Sequence, residues 1–216
     1  MALEGLPAGR RVLDIGGGTG AHSEVMALAG AHPVVLDPSA AQREQARRRS
    51  GLFVVGGVAQ ALPFADGSFY MAYFHLSLHY GDWRTALNEA CRVVSPGGRI
   101  WIWTFTRHYL ETSFTGSWFP SVYTHDLRRF PDSDDIAGHL ESVGVGRITR
   151  GTTVETVHRT VGSWEEAFRA RFVSTLQLVD SEELEAGIGR FRATYPDDTE
   201  QVAVNLEFAS IVGVVR

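Results

Sequence analysis

Cysteine is close to absent from this chain: among 216 residues, Cys91 is the only one. A single thiol excludes an internal disulfide and a zinc site built from cysteines. Its neighbours Ala86, Leu87, Ala90, Val93 and Val94 suit a buried core thiol. Long apolar runs are missing as well. None reaches the ~18 residues that a membrane span requires, and the first residues lack a charged-then-apolar leader. The expectation is a cytoplasmic chain with no membrane partner. Nor is there a surplus of positive charge: 20 Lys and Arg against 25 Asp and Glu leave a net charge of −5. Nucleic acid is therefore not the expected partner, because its binding face is normally basic. The local cluster Arg43, Arg47, Arg48 and Arg49 reads as a solvated helix end whose cations complement the helix dipole. A content of 44% hydrophobic and 21% charged residues is that of an ordinary globular protein. The length allows one domain with a full core. A homodimer is allowed, not required.

What the chain does have is glycine, bunched. Val12-Leu13-Asp14-Ile15-Gly16-Gly17-Gly18-Thr19-Gly20 is a short apolar run ending in an acidic residue and then in a glycine cluster. A helical pattern follows from Ala21 to Leu28. Strand, glycine turn and helix are the first half of a βαβ unit. Without a Cβ the backbone turns sharply, and a ligand can lie against it. The spacing decides which ligand. A dinucleotide fingerprint reads G-x-G-x-x-G around a pyrophosphate; here Gly16, Gly18 and Gly20 give G-x-G-x-G. The run Val34-Val35-Leu36-Asp37 then reads as a second buried strand ending in a carboxylate. Asp37 lies 17 residues past Gly20, near the roughly 20-residue offset at which an acidic residue accepts from ribose hydroxyls. The two elements together point to a nucleoside site.

Further on, Ser39-x-x-Gln42 is a capping-box pattern opening a helix to about Arg49. Leu52 to Val55 reads as a strand stopped by Gly56-Gly57, Val58 to Ser68 as a connector, and Phe69 to Phe74 as a fourth strand. Asp82 opens a helix through Val94, Pro96-Gly97-Gly98 ends it, and Arg99 to Phe105 is a fifth strand. Alternating strands and helices predict a parallel sheet covered on both faces. Residues 106–131 carry Tyr109, Phe114, Trp118, Phe119, Tyr123 and His125 but no periodicity, and read as a loop covering a substrate. A helix from Asp132 to Val143 and a strand from Arg147 to Val157 follow. Two more helices have caps at Ser163-x-x-Glu166 and Asp180-x-x-Glu183, the first with a core stripe of Trp164, Phe168, Phe172 and Leu176. Val202, Val204, Leu206 and Phe208 alternate as in a half-buried strand.

The pattern D-x-G-x-G-x-G from Asp14 to Gly20 resembles motif I of the class I S-adenosylmethionine (SAM) methyltransferases. The resemblance continues through Ala59-Gln60-Ala61-Leu62-Pro63-Phe64-Ala65-Asp66-Gly67-Ser68-Phe69, Leu78-His79 and Arg92-Val93-Val94-Ser95-Pro96-Gly97-Gly98. It covers residues ~11 to 105, in order, and is nearest the ubiquinone/menaquinone-biosynthesis (type 11) branch. The resemblance implies a Rossmann-like, seven-stranded, mostly parallel sheet with an antiparallel last strand and helices on both faces. It also implies one domain over 1–216, with the 106–131 loop and a 158–200 helical insertion over the substrate. SAM would be the cofactor, and a small molecule would accept the methyl group through O, N or C. Carried over by position, Asp37 serves the ribose, and Asp14, Gly16, Gly17, Gly18 and Gly20 the methionine end. Val58, Ala59 and Gln60 border the adenine, and Pro38 and His75 complete the cofactor set. His79 is a candidate general base or, equally, a core histidine. His75, His79 and His125 have no carboxylate at metal-binding spacing, so no metal is expected. The chain departs from the family pattern at Val58, where an aspartate is usual, at Gln42, where Leu or Met is usual, and in having no helices ahead of motif I. These departures motivate an alternative, a non-catalytic binding module on the same fold. A nicotinamide oxidoreductase is the second rival.

Overall fold

The computed structural model describes residues 8–216. Its first half alternates strand and helix: β1 (Arg11–Ile15), α1 (Ala21–Leu28), β2 (His32–Asp37), α2 (Ala40–Arg47), β3 (Phe53–Gly56), β4 (Phe69–His75), α3 (Trp83–Val93) and β5 (Val94–Phe105). The strands with near-continuous apolar runs are buried on both faces, as parallel strands are. In β1, Val12, Leu13, Asp14 and Ile15 all lack solvent contact. Later come α7 (Ser133–Ser142), β6 (Val145–Thr160) and β7 (Gln201–Val215).

Among the described residues seven strands form one sheet, in the order β3-β2-β1-β4-β5-β7-β6. The pairings of β1 with β2 and β4, of β2 with β3, and of β4 with β5 are parallel. Strand β7 runs against its neighbours. Trp101 meets Ser210 and Thr106 meets Glu207, so partner numbers fall along β5 as its own rise. Thr149 with Val212 and Thr156 with Asn205 repeat this along β6. The antiparallel last strand is thus as expected. The order reverses at β1, which has β2 on one side and β4 on the other. A crevice at the carboxyl ends of such strands is where open α/β sheets bind ligands.

The chain divides into two compact units. The first holds residues 8–104, 131–151 and 209–216. Strand parity distributes its helices to both faces of the sheet. Leu13, Ile15, Val34, Leu36, Ala72 and Phe74 share one core with Leu87 and Ala90 of α3 and with Ile136 and Leu140 of α7. On the opposite parity, Asp14 and Tyr73 meet Ser23 and His22 of α1.

The second unit holds residues 105–130 and 152–208, with a core of its own that includes Phe119, Trp164, Phe168, Leu176, Phe191 and Val202. Here the structure corrects several expectations. Residues 106–131 are helical, not a loop: α4 (Arg107–Thr112), α5 (Phe114–Trp118) and α6 (Ser121–Arg129). At six, five and nine residues they are too short for a 3.6-residue period to register. The first two are capped, by Thr106 Oγ1 accepting from Tyr109 N and Ser113 Oγ accepting from Gly116 N, whereas α6 follows Pro120 without a side-chain cap. The helix α8 (Val161–Arg169) begins earlier than the sequence pattern suggested, because Thr160, not Ser163, is its cap. The Asp180 cap of α9 (Ser181–Thr194) is present, accepting from Glu183 N at 2.8 Å. Of the aromatic stripe, Trp164, Phe168 and Leu176 are core, whereas Phe172 is exposed. Strand β5 also starts earlier than Arg99: its pairing jumps from Phe69–Val94 to Met71–Arg99, so Ser95-Pro96-Gly97-Gly98 bulges out of the ladder. Among the described residues no helix is long and apolar enough to cross a membrane.

Candidate functional site

The crevice at the reversal point is a cavity of about 480 Å³, within the roughly 300–1,000 Å³ usual for small-ligand sites. All of its walls belong to the first unit. Ile15, Gly16 and Gly18 come from the end of β1 and its loop, Leu36 to Ser39 and Gln42 from the β2–α2 turn, Val58 to Gln60 from the connector after β3, and Leu76, Ser77 and Tyr80 from the segment after β4.

The glycine loop spends its own donors. Gly16 and Gly17 N–H both donate to Leu36 O, at 2.8 and 3.3 Å, and Gly20 N–H to Gly17 O at 2.9 Å. Gly18 N–H donates to Asp37 Oδ2 at 3.0 Å. A phosphate would need such groups, and these four are already spent on the chain itself. What the loop offers is backbone surface. Gly18 has φ +55°, and a Cβ there would find only Gln42 Oε1, at 3.7 Å. Asp37 accepts a second backbone N–H, from Ser39 at 2.8 Å. Arg43 donates to the carbonyls of Asp37 and Pro38 at 2.9 and 2.7 Å, fixing the turn that carries the carboxylate. A carboxylate has about four lone-pair positions, so Asp37 retains capacity toward the cavity.

Asp14 lies elsewhere. It is fully buried under the loop and accepts from Ser23 Oγ at 2.6 Å. A Cβ on Gly17 would stand 2.7 Å from its carboxyl carbon, which is why that position is bare. Burial pushes the Asp14 pKa up to about 6, the Ser23 bond opposing and the charge of Asp37 adding. Gly20 faces Leu52 and Ala46. Asp14, Gly17 and Gly20 therefore shape the loop and do not line the cavity, whereas Gly16, Gly18, Asp37, Pro38, Val58, Ala59 and Gln60 do.

The two histidines are also outside the cavity lining. His75 packs on His22, ring centroids 3.8 Å apart. Burial, with help from the His22 charge, pushes its pKa down to about 3, so the ring is neutral near pH 7. His79 is buried against the Tyr80 ring, 4.1 Å between centroids, and it is Tyr80, half-exposed, that lines the cavity. The residues missed by motif reasoning are those after β4. Leu76 has a left-handed φ of +48°. Its N–H donates to Trp103 O at 2.9 Å, and Ser77 Oγ reaches across to Ile15 O. No periodic signal precedes that bend.

The connector is held by one cation. Arg92 donates to Leu62 O at 3.1 Å, Phe64 O at 2.8 Å and Asp66 at 2.8 Å, and pairs with Glu89, which itself accepts from Leu62 N at 2.8 Å. Two motifs that lie some 30 residues apart in sequence (as for Leu62 and Arg92) are a single clasp.

A family model described as a methyltransferase domain matches residues 13–102. The demethylmenaquinone methyltransferase of Renibacterium salmoninarum is 34% identical over 161 residues, 65% of this chain and 68% of that protein. The chain belongs to the class I SAM-dependent methyltransferases. Among them this methyltransferase falls in the ubiquinone/menaquinone-type branch, as its motifs suggested. It is also similar to the malonyl-[acyl-carrier protein] O-methyltransferase of Erwinia billingiae, 34% identical over 132 residues, 60% of this chain and 52% of that one. These alignments span between half and two thirds or so of the curated relatives' own length. The fold is shared with a SAM-dependent methyltransferase from Thermotoga maritima, at 20% identity and a TM-score of 0.63, covering 100% of this chain and 86% of that one. The cofactor of the family is SAM, and the methyltransferase's cavity fits it. The open face at Gly18, the carboxylate of Asp37 and the apolar Ile15, Leu36, Val58 and Ala59 match an uncharged nucleoside, and the spent N–H groups do not match a pyrophosphate.

Proposed function

We propose that the chain binds SAM in this cavity and transfers its methyl group to an O, N or C atom of a small-molecule acceptor. Bound SAM supplies an electrophilic methyl on a sulfonium, displaced in line by the acceptor. The chain's own residues contribute position. Asp37, oriented by Gly18 N–H and Ser39 N–H, accepts from the ribose hydroxyls, and Gly18 lets the ligand lie on the backbone. Ile15, Leu36, Val58 and Ala59 exclude water from the base. Holding the acceptor ~3–3.5 Å from the methyl is where such sites gain most of their rate. No base is assigned to His79, whose buried place behind Tyr80 suits packing. Choice of methyl acceptor we assign to residues 106–131 and 158–200. Their aromatic content and the buried Trp118 indole N–H, which has no hydrogen-bond acceptor among the described residues, suit an apolar molecule with one oxygen. The related proteins named above are a demethylmenaquinone methyltransferase and a malonyl-[acyl-carrier protein] O-methyltransferase, so likeness alone does not choose the acceptor.

The observation that carries the reading is the Asp37 carboxylate held at the cavity wall. Titration calorimetry with SAM on wild type and Asp37→Ala tests it. Loss of a charge-assisted bond should weaken binding by about 1.5–3 kcal/mol. Equal affinity in the two proteins would remove Asp37 from the site. Turnover with candidate acceptors then separates an enzyme from a binding module.

A further inference from the structure

We infer that the chain binds a phosphoryl group between Arg147 and Arg216, at the amino end of its sheet. The chain has no lysine, so its 20 basic residues are all arginine. All but Arg47, Arg128, Arg147 and Arg216 have a bonding partner or a ring contact among the described residues. Arg47 and Arg128 sit in the last turns of α2 and α6, where a cation complements the helix dipole. Arg147, on β6, and Arg216, after β7, have no such reason. Together they border one cavity of about 330 Å³, whose other walls are Gly97, Gly146 and Val214. No Asp or Glu side chain lines it. Two like charges repel, and with 25 acidic residues in the chain this pair is still left without one.

Every residue of this cavity belongs to the first unit. Strand order and direction bring the start of β6, the end of β7 and the bulge before Arg99 to one end of the sheet. The cavity lined by Gly18 and Asp37 lies at the other end, where β1 and β2 finish. Gly97 has φ +79° and nothing within 4 Å of where a Cβ would be, so the backbone of the bulge is open. Gly146 is bare for the opposite reason. A Cβ there would stand 2.7 Å from Nε and 2.9 Å from Nη2 of Arg216, so that guanidinium lies against the strand. Arg147 itself has a left-handed φ of +49°. A side chain holds that conformation only where its surroundings enforce it, and such positions cluster at ligand clamps. Each guanidinium presents a planar fork of N–H donors that matches an oxyanion. Two of them balance a charge near −2, that of a phosphate monoester above its second pKa of about 6. A carboxylate supplies half of that. Free phosphate and the phosphoryl end of a larger molecule offer the same group.

Titration calorimetry with inorganic phosphate, phenyl phosphate and acetate tests this on wild type, Arg147→Gln, Arg216→Gln and Arg47→Gln, at low ionic strength, where screening is weak. Wild type should bind the phosphates at least about ten-fold more tightly than acetate. Arg147→Gln and Arg216→Gln should each weaken phosphate binding by at least about five-fold. Arg47→Gln should stay within about two-fold of wild type. Phenyl phosphate should bind at least about two-fold more tightly at pH 7 than at pH 5, as its second proton leaves. Tighter binding of the ester than of phosphate assigns the site to the phosphoryl end of a larger molecule, and the reverse order assigns it to free phosphate. The proposal is overturned by a wild type that binds neither phosphate or binds acetate as well. It is overturned equally by unchanged affinity in Arg147→Gln or Arg216→Gln, or by a matching loss in Arg47→Gln.

Discussion

Asp14→Asn should make this chain's stability respond to pH in a way that isolates one buried charge. Asp14 is completely enclosed, has one hydrogen-bond donor in Ser23, and titrates at about 6 instead of the ordinary 3.8. That is a little over two pH units, and at about 1.4 kcal/mol per unit the burden of keeping it ionised is about 3 kcal/mol. Its folded-state pKa is raised, so the folded protein binds this proton more tightly than the unfolded chain does. Stability therefore falls as pH rises from about 4 to about 6, and the fall is complete above that window. Asparagine does not titrate. The stability of Asp14→Asn minus that of wild type should thus climb by about 3 kcal/mol between pH 4 and 7 and then level. The second amide proton of the asparagine lacks an evident partner, a fixed cost of about 1–3 kcal/mol. That cost displaces the difference curve without changing its shape. Urea unfolding at half-unit pH steps reads the curve. A difference that stays flat within about 0.5 kcal/mol from pH 4 to 8 would refute burial as the cause of the raised pKa.

Thr160→Ala should destabilise by about 1 kcal/mol by uncapping α8, whereas Ser163→Ala should cost only a few tenths; thermal denaturation of the two variants distinguishes the observed cap from the one the sequence pattern favours. Arg92→Ala should cost about 2 kcal/mol, because the carbonyls of Leu62 and Phe64 lose a charged donor. It should also weaken SAM binding by loosening the connector that carries Val58 to Gln60. Urea unfolding and calorimetry together check it, and unchanged values in both would deny the clasp its role.

The sheet was legible because its signals are local and repeated. Apolar runs of strand length ended in turn residues, and Asp82 and Asp180 sit one residue before the helices they cap. Asp37 was legible for the same reason, being a carboxylate at the end of a buried strand. Asp14, which the resemblance assigns to the methionine end, lies buried under the glycine loop and outside the cavity lining. Its burial exists only once α1 turns Ser23 back onto it, and no one-dimensional pattern records that return. The cavity residues Leu76 and Ser77 follow the end of β4, where period-two alternation has stopped and a left-handed bend has no sequence marker. The helices of 106–131 escaped because five to nine residues complete only about one and a half to two and a half turns. At 160–166 the box Ser163-x-x-Glu166 drew the reading away from Thr160, which caps α8 with no acidic residue three places on to mark it.

The placement of β7 between β5 and β6 has a consequence for how the chain is made. Of the seven strands β7 leaves the ribosome last, yet it is an interior strand of the sheet. Until it arrives, β5 and β6 have no shared ladder, and each presents a bare row of backbone donors and acceptors to other nascent chains. β1 to β4, which carry the cavity, pair among themselves and with β5 earlier in synthesis. A stalled or clipped chain ending between Thr160 and Gln201 would thus hold a formed ligand site beside two open edges. It would bind its ligand and aggregate at the same time, and added ligand would not rescue it.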